Sequence, residues 1–334
     1  MKSEMVKLDV SQCEQIGKLV KNLSFRHDFY KREFLTIQAN AETKARAYLY
    51  SVAICHQTHS LVNAKKNLKG WDYLEDVFTY LIKSKSEFLD PSYLTAAIVY
   101  EVSNKLRILF SPDGNPDNCT LDRLEERARF LVDIGKVLQR YDNKLTNLIK
   151  QSNNLLINKG QGLYELLDKF EAYRDPLKKK STLFIKFLVE ADLFEIKDTE
   201  NLVPMMDYHM QRVLLRMGCV EILDADLKNK LLKRERIDSD EEIRSACVEA
   251  LKIVSRVSGH DVTKMNDFFW PLGRSCCGEK TLCFDMRCSK SPCTFDLLVE
   301  LASHEKCVFE GVCKGSLNQE YRSYWQPIVE THYY

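Results

Sequence analysis

An all-α fold is what this sequence predicts, with a cysteine-rich appendage near its C-terminus. Three observations predict it. Apolar residues recur three or four apart almost throughout, the period of a helix face, and no run alternates apolar with polar residues as a half-buried strand does. Seven of the twelve cysteines, Cys276, Cys277, Cys283, Cys288, Cys293, Cys307 and Cys313, crowd into residues 276–313. A packed helical core does not need such crowding, whereas a metal or cluster site does.

The elements follow in order. Phe34 to Cys55 reads as a helix, with Leu35, Ala39, Ala45, Leu49, Val52 and Ala53 mostly three or four apart and Glu42 interrupting the row. Asp90-Pro91 marks a helix start, an N-cap acid followed by proline at the first helical position, for a helix carrying Leu94, Ile98, Val102 and Leu106. Ser111 to Asp117 is rich in turn formers and predicts a loop. Helices are then expected over Leu121–Tyr141, Leu145–Leu156, Leu163–Tyr173, Lys178–Ala191, Met205–Gly218 and Asp240–Ser258. Gly218 stands where a C-cap glycine belongs, and Ser239-Asp240 supplies the next start. A last helix near Lys264–Arg274 feeds into the cysteine loop, and the tail ends in Tyr321, Tyr324, Trp325, Tyr333 and Tyr334. The chain is expected to divide into a helical part, 1–262, and a part comprising the terminal helix, the cysteine loop and the aromatic tail, 263–334.

Composition bounds the function. The 334 residues are 45% apolar and 29% charged, normal for a globular protein. The net charge is +1, from 49 basic and 48 acidic residues. That balance exerts no long-range pull on a polyanion and argues against a dedicated DNA coat; Lys178-Lys179-Lys180 is the clearest basic patch. No run approaches the ~18 apolar residues of a membrane span, and Met1-Lys2-Ser3-Glu4 lacks the apolar stretch of a signal peptide. An intracellular, cytoplasmic protein is expected, or a nuclear one if the source is eukaryotic, with no membrane partner and a monomeric state. In a reducing compartment, clustered thiols read as metal ligands more readily than as disulfides. Structural zinc usually shows paired C-x2-C knuckles, and the sequence has none, so zinc is the alternative and an iron–sulfur cluster, whose spacing can be looser, is preferred. His56 and His59 read as capping or surface groups.

Leu272-Gly273-Arg274-Ser275-Cys276-Cys277 resembles the end of the helix that supplies the first ligand in iron–sulfur helix-hairpin-helix DNA glycosylases, and Cys307 to Cys313 has the C-x5-C spacing that closes their loop. The family pattern is C-x6-C-x2-C-x5-C. Cys276 and Cys283 reproduce the first interval, whereas the Gly-Arg match favours Cys277 as first ligand. Three residues before Cys307 stands His304 instead of a cysteine, so the second ligand is open among Cys283, Cys288 and Cys293. The resemblance implies a two-lobed helical fold and a [4Fe–4S] cluster on Cys277, Cys283, Cys307 and Cys313.

Val203 to Gly218 resembles the family segment in which an aspartate opens a helix that continues with Arg-Val and a later arginine, here Asp207, Arg212, Val213 and Arg216. The resemblance makes Asp207 the catalytic carboxylate, with Tyr208 beside it for the substrate. Physical reasoning agrees, since a fixed anion stabilises the sugar cation that forms as a base departs, and a helix N-terminus stabilises the anion. Asp175 to Thr182 occupies the place of the family's hairpin without its glycines, and Lys180 is the lysine that would attack the sugar.

Leu183 to Leu231 also resembles the queuosine salvage proteins, all-α relatives that hydrolyse a modified nucleotide to release queuine. Lys69-Gly70-Trp71-Asp72-Tyr73-Leu74 adds to this likeness, with Trp71 and Tyr73 available to stack on a base. The two resemblances together imply an N-glycosidase acting on a DNA lesion or a modified nucleotide. The alternative is a non-catalytic module that binds nucleic acid or protein on the same scaffold.

Overall fold

A computed structural model describes residues 5–26, 32–301 and 304–334. Met1 to Glu4, read above for an apolar leader, lie outside the described residues. The chain forms two compact units. One comprises Met1–Phe29 and Val203–Glu330, the other Tyr30–Leu202 and Thr331–Tyr334. Helices dominate both. Among the described residues the only paired strands are Val6–Leu8 with Val220–Ile222 and Val62–Asn63 with Leu68–Lys69, each antiparallel. No helix among them is long and apolar enough to cross a membrane.

In the first unit, helix Val10–Lys21 packs along helix Glu241–Ser258. Asp9 opens the former by accepting a hydrogen bond from the Gln12 amide at 2.9 Å, and the helices approach so closely that a Cβ on Gly17 would lie 2.8 Å from Val257 Cβ. Helix Tyr208–Met217 packs on helix Val262–Arg274 and ends, as expected, on Gly218 in the left-handed conformation, φ +76°.

In the second unit, helix Ala41–Ala53 packs against Trp71–Lys83 and Lys179–Glu190. The helix expected over Phe34–Cys55 is broken. Glu33–Thr36 forms one turn, and the chain restarts at Asn40, whose side chain accepts from the Thr43 amide at 2.8 Å. Asp90 caps its helix as predicted, accepting from the Ser92 amide, but that helix stops at Ala96, and Glu101 reaches back to the Ile98 amide to open Val99–Leu109. The helices Val10–Lys21, Trp71–Lys83 and Ala225–Lys233 add to those the sequence pattern marked.

Candidate functional site

Pro204 precedes the helix that opens at Asp207. Asp207 holds extended backbone at the N-cap, its Oδ1 accepts from the Met210 amide at 3.0 Å, and the residue is 7% exposed. A carboxylate at this helix start can serve both capping and catalysis, so the geometry admits both. Tyr208 and His209 follow, half-buried, with ring centroids 4.3 Å apart.

The same helix grips the start of the cysteine loop through its two arginines. Arg212 donates from Nε to the Cys277 carbonyl at 3.2 Å and from Nη2 to the Gly273 carbonyl at 2.6 Å, and a third contact reaches Gln326. One turn later, Arg216 donates to the carbonyls of Cys277 at 3.1 Å, Gly278 at 2.7 Å and Tyr324 at 2.9 Å. Burial, then the neighbouring Arg216 charge, pulls Arg212 down to about 10, so it stays charged at neutral pH. Trp325 lies under this group, with Arg212 and Arg234 4.6 and 4.2 Å from its ring centre. Close approach is built into the backbone here: a Cβ on Gly273 would meet the His209 carbonyl oxygen at 2.8 Å.

The cysteines of the loop are all free thiols, and they fall into two sets. Cys276, Cys288, Cys293 and His304 turn their ligand atoms toward one another, all within 4.8 Å. Cys276 Sγ lies 3.5 Å from the sulfurs of Cys293 and Cys288 and 3.6 Å from His304 Nε2, and Cys288 Sγ approaches that nitrogen to 2.7 Å. This group is compatible with a metal ion. The sequence leaves Cys276, Cys288 and Cys293 as alternatives to the chosen ligands and does not single out His304; the Cys288-x4-Cys293 spacing, within the usual range of zinc ligand pairs, is the available signal. The second set is Cys277, Cys283, Cys307 and Cys313. Cys277 Sγ accepts from Arg216 Nη1 at 3.6 Å, and Cys313 Sγ donates to the Arg216 carbonyl at 3.6 Å. Burial pushes the Cys307 thiol up, and Cys277, Cys313 and Cys283 lie close enough to push it further.

In the other unit, Lys180 is fully buried. Its Nζ donates to the Ala53 carbonyl at 2.6 Å, lies 3.3 Å from His56 Nδ1, and sits 5.3 Å from the Phe130 ring centre. Burial is the main cause that draws this amine down to about 7. His56, expected at a surface or cap, is fully buried, with its Nε2 2.9 Å from Glu126 Oε1. Burial, with the Lys180 charge behind it, holds its imidazole well below the ordinary range. Glu126 is fixed in turn by Arg123 at 2.7 Å, which also donates to the Thr331 carbonyl. Where hairpin glycines are missing, Lys178 itself adopts the left-handed conformation, φ +57°, and its Nζ bonds Asp168 at 2.6 Å. Trp71 is half-buried, donates from Nε1 to Glu75 at 2.6 Å and packs 5.4 Å from Phe187. Tyr73, two residues on, is 2% exposed, against Phe110.

Compared with known families, residues 49–268 match the model of a family described as queuosine salvage protein. No curated protein matches the chain.

Proposed function

Since the chain belongs to the queuosine salvage protein family, we propose that it hydrolyses the N-glycosidic bond of a queuosine-type nucleotide and releases the modified base. Asp207 carries this reading: a buried carboxylate at a helix start, inside the matched span, is the anion that such a bond cleavage needs. The bond between the sugar carbon and the base nitrogen breaks with its electrons going to the base, which takes up a proton. Asp207 stabilises the cationic sugar and orients the water, whose oxygen bonds to the sugar carbon as its proton is released. Tyr208, next to Asp207, offers a half-buried ring for stacking; in the other unit Trp71 is half-buried as well, and Tyr73 holds its helix from the core side.

Lys180, in the other unit, is a separate candidate group. An amine drawn to about 7 is partly neutral at that pH, the form that attacks a sugar carbon or takes up a proton. Borohydride trapping separates the two roles, since only attack at carbon leaves a covalent adduct. Cys277, Cys283, Cys307 and Cys313 would hold a [4Fe–4S] cluster. The closeness of Cys277, Cys313 and Cys283 to Cys307 supports this, and so does the Arg216 guanidinium 3.6 Å from Cys277 Sγ, a positive charge beside one of the thiolates. When bound, such a cluster supplies structural order to the loop.

A damaged base in DNA offers the same bond, but a net charge of +1 leaves little surplus for the phosphate contacts of a duplex. The test is base release from a queuosine nucleotide and from DNA containing uracil or oxoguanine, comparing wild type with Asp207→Asn. The nucleotide alone is expected to be cleaved, and the variant to lose about 10²–10⁴-fold in rate. Equal rates would remove Asp207 from the chemistry, and no release from any substrate would favour the non-catalytic binding module.

A further inference from the structure

We infer that Cys276, Cys288, Cys293 and His304 form a structural zinc site, separate from the four remaining thiols of the loop. Neither the family match nor the proposed hydrolysis requires this site, and the inference stands independently of both.

Geometry is the first argument. A single tetrahedral ion with zinc–sulfur bonds of about 2.3 Å and a zinc–nitrogen bond of about 2.0 Å sets its ligand atoms roughly 3.5–3.8 Å apart. Three of the contacts, at 3.5, 3.5 and 3.6 Å, already meet that spacing. The Cys288 to His304 approach of 2.7 Å has to widen by about 1 Å to seat the ion. A four-iron cube, by contrast, stands between its thiolates and needs a wider cage than ligand atoms all within 4.8 Å provide.

Donor chemistry is the second argument. Three thiolates and one imidazole match zinc among the common divalent ions, and four protein ligands close the coordination shell, which is the pattern of a structural site. Supporting contacts fix the ligands. Ser275 Oγ donates to the Pro271 carbonyl at 2.6 Å and lies 3.4 Å from Cys293 Sγ. The Ser289 amide, next to Cys288, donates to the Ser275 carbonyl at 2.9 Å. Gly278 permits that approach, because a Cβ there would lie 2.1 Å from Ser289 Oγ.

The third argument is what the segment lacks. From Cys283 to Thr294 no side chain is buried, and Phe284 and Met286 are 65% and 79% exposed. Apolar packing does not hold this stretch in place; ligation of Cys288 and Cys293 would. The site ties the end of helix Val262–Arg274 to residues 288, 293 and 304, and so returns the chain to Cys307. Cys276 and Cys277, neighbours in sequence, thereby serve different centres.

The test is metal content of the full chain as isolated, by elemental analysis. One zinc per chain is expected. Cys288→Ser and His304→Gln should each lower zinc at least tenfold, while Cys307→Ser keeps it. Should a ligand variant fail to fold, zinc-edge X-ray absorption on the wild type decides, with three sulfurs and one nitrogen around the metal expected. A four-sulfur shell, zinc lost with Cys307 instead of Cys288, or no bound zinc would each overturn the assignment, whatever the outcome of the base-release assay.

Discussion

The helix that opens at Asp207 and the helix that carries Lys180, one in each unit, bury cations in different ways. In the unit of Asp207, Arg212 and Arg216 spread their charge over carbonyls of Gly273, Cys277, Gly278 and Tyr324. In the other, Lys180 has one carbonyl, Ala53, and a histidine. Burial is the leading cause of a lowered proton affinity for both Arg212 and Lys180, yet the first stops at about 10 and the second falls to about 7. A guanidinium with several fixed acceptors remains a permanent charge and serves as a clamp, whereas an ammonium with few becomes a group that exchanges a proton near neutrality. The guanidinium starts from 12.5 and the ammonium from 10.5, so residue type together with burial decides which buried cation is available for chemistry.

The comparison can be broken most severely at Arg212. Arg212→Ala leaves buried carbonyls short of donors and should cost about 3 kcal/mol in chemical denaturation, with loss of metal from the loop. Unchanged stability and metal content would show that the arginines do not hold it. Lys180→Met sharpens the other side. The folded-state affinity of Lys180 lies below its unfolded value of 10.5, so between about 7 and 10.5 the unfolded chain binds more protons and the wild type gains stability as pH rises. Relative to the Met variant, that gain should approach about 1.4 kcal/mol per pH unit in urea titrations across the window. A difference that stays flat with pH would mean that the amine is not displaced. The smallest effect is expected at Asp175, which accepts from the amides of Leu177 at 3.0 Å and Lys179 at 2.9 Å and so fixes the start of the Lys180 helix. Asp175→Ala should cost about 1–2 kcal/mol in the same titrations.

Much of the helical chain was legible because its signals are local. Asp90-Pro91 and Gly218 mark helix ends through their own backbone preferences, and both do so in the structure. The breaks at Ile37–Asn40 and Ala97–Ile98 were not legible, since the apolar period runs through them and only the caps of Asn40 and Glu101 decide. Asp207 and the pair Arg212 and Arg216 were visible as a pattern, but their hold on the Cys277 carbonyl is a contact across 61 to 65 positions that no spacing displays. His56 fared similarly: its partners, Glu126 and Lys180, are brought to it only by the fold. In the cysteine loop, crowding pointed to a cluster of ligand-type side chains, whereas the division of the thiols depended on His304 folding back to Cys276 and Cys288.

Neither unit is a continuous stretch of polypeptide. The Lys180 unit takes Thr331–Tyr334 from beyond the cysteine loop, with the Tyr334 carbonyl accepting from the Gln57 amide at 3.1 Å and the His332 ring 5.1 Å from Phe130. Dissection by expressing residues 30–202 would therefore strip cover from beside the His56 and Lys180 pair, and an inactive fragment would say nothing about catalysis. Internal substitutions in the intact chain are the sound way to assign work to either half.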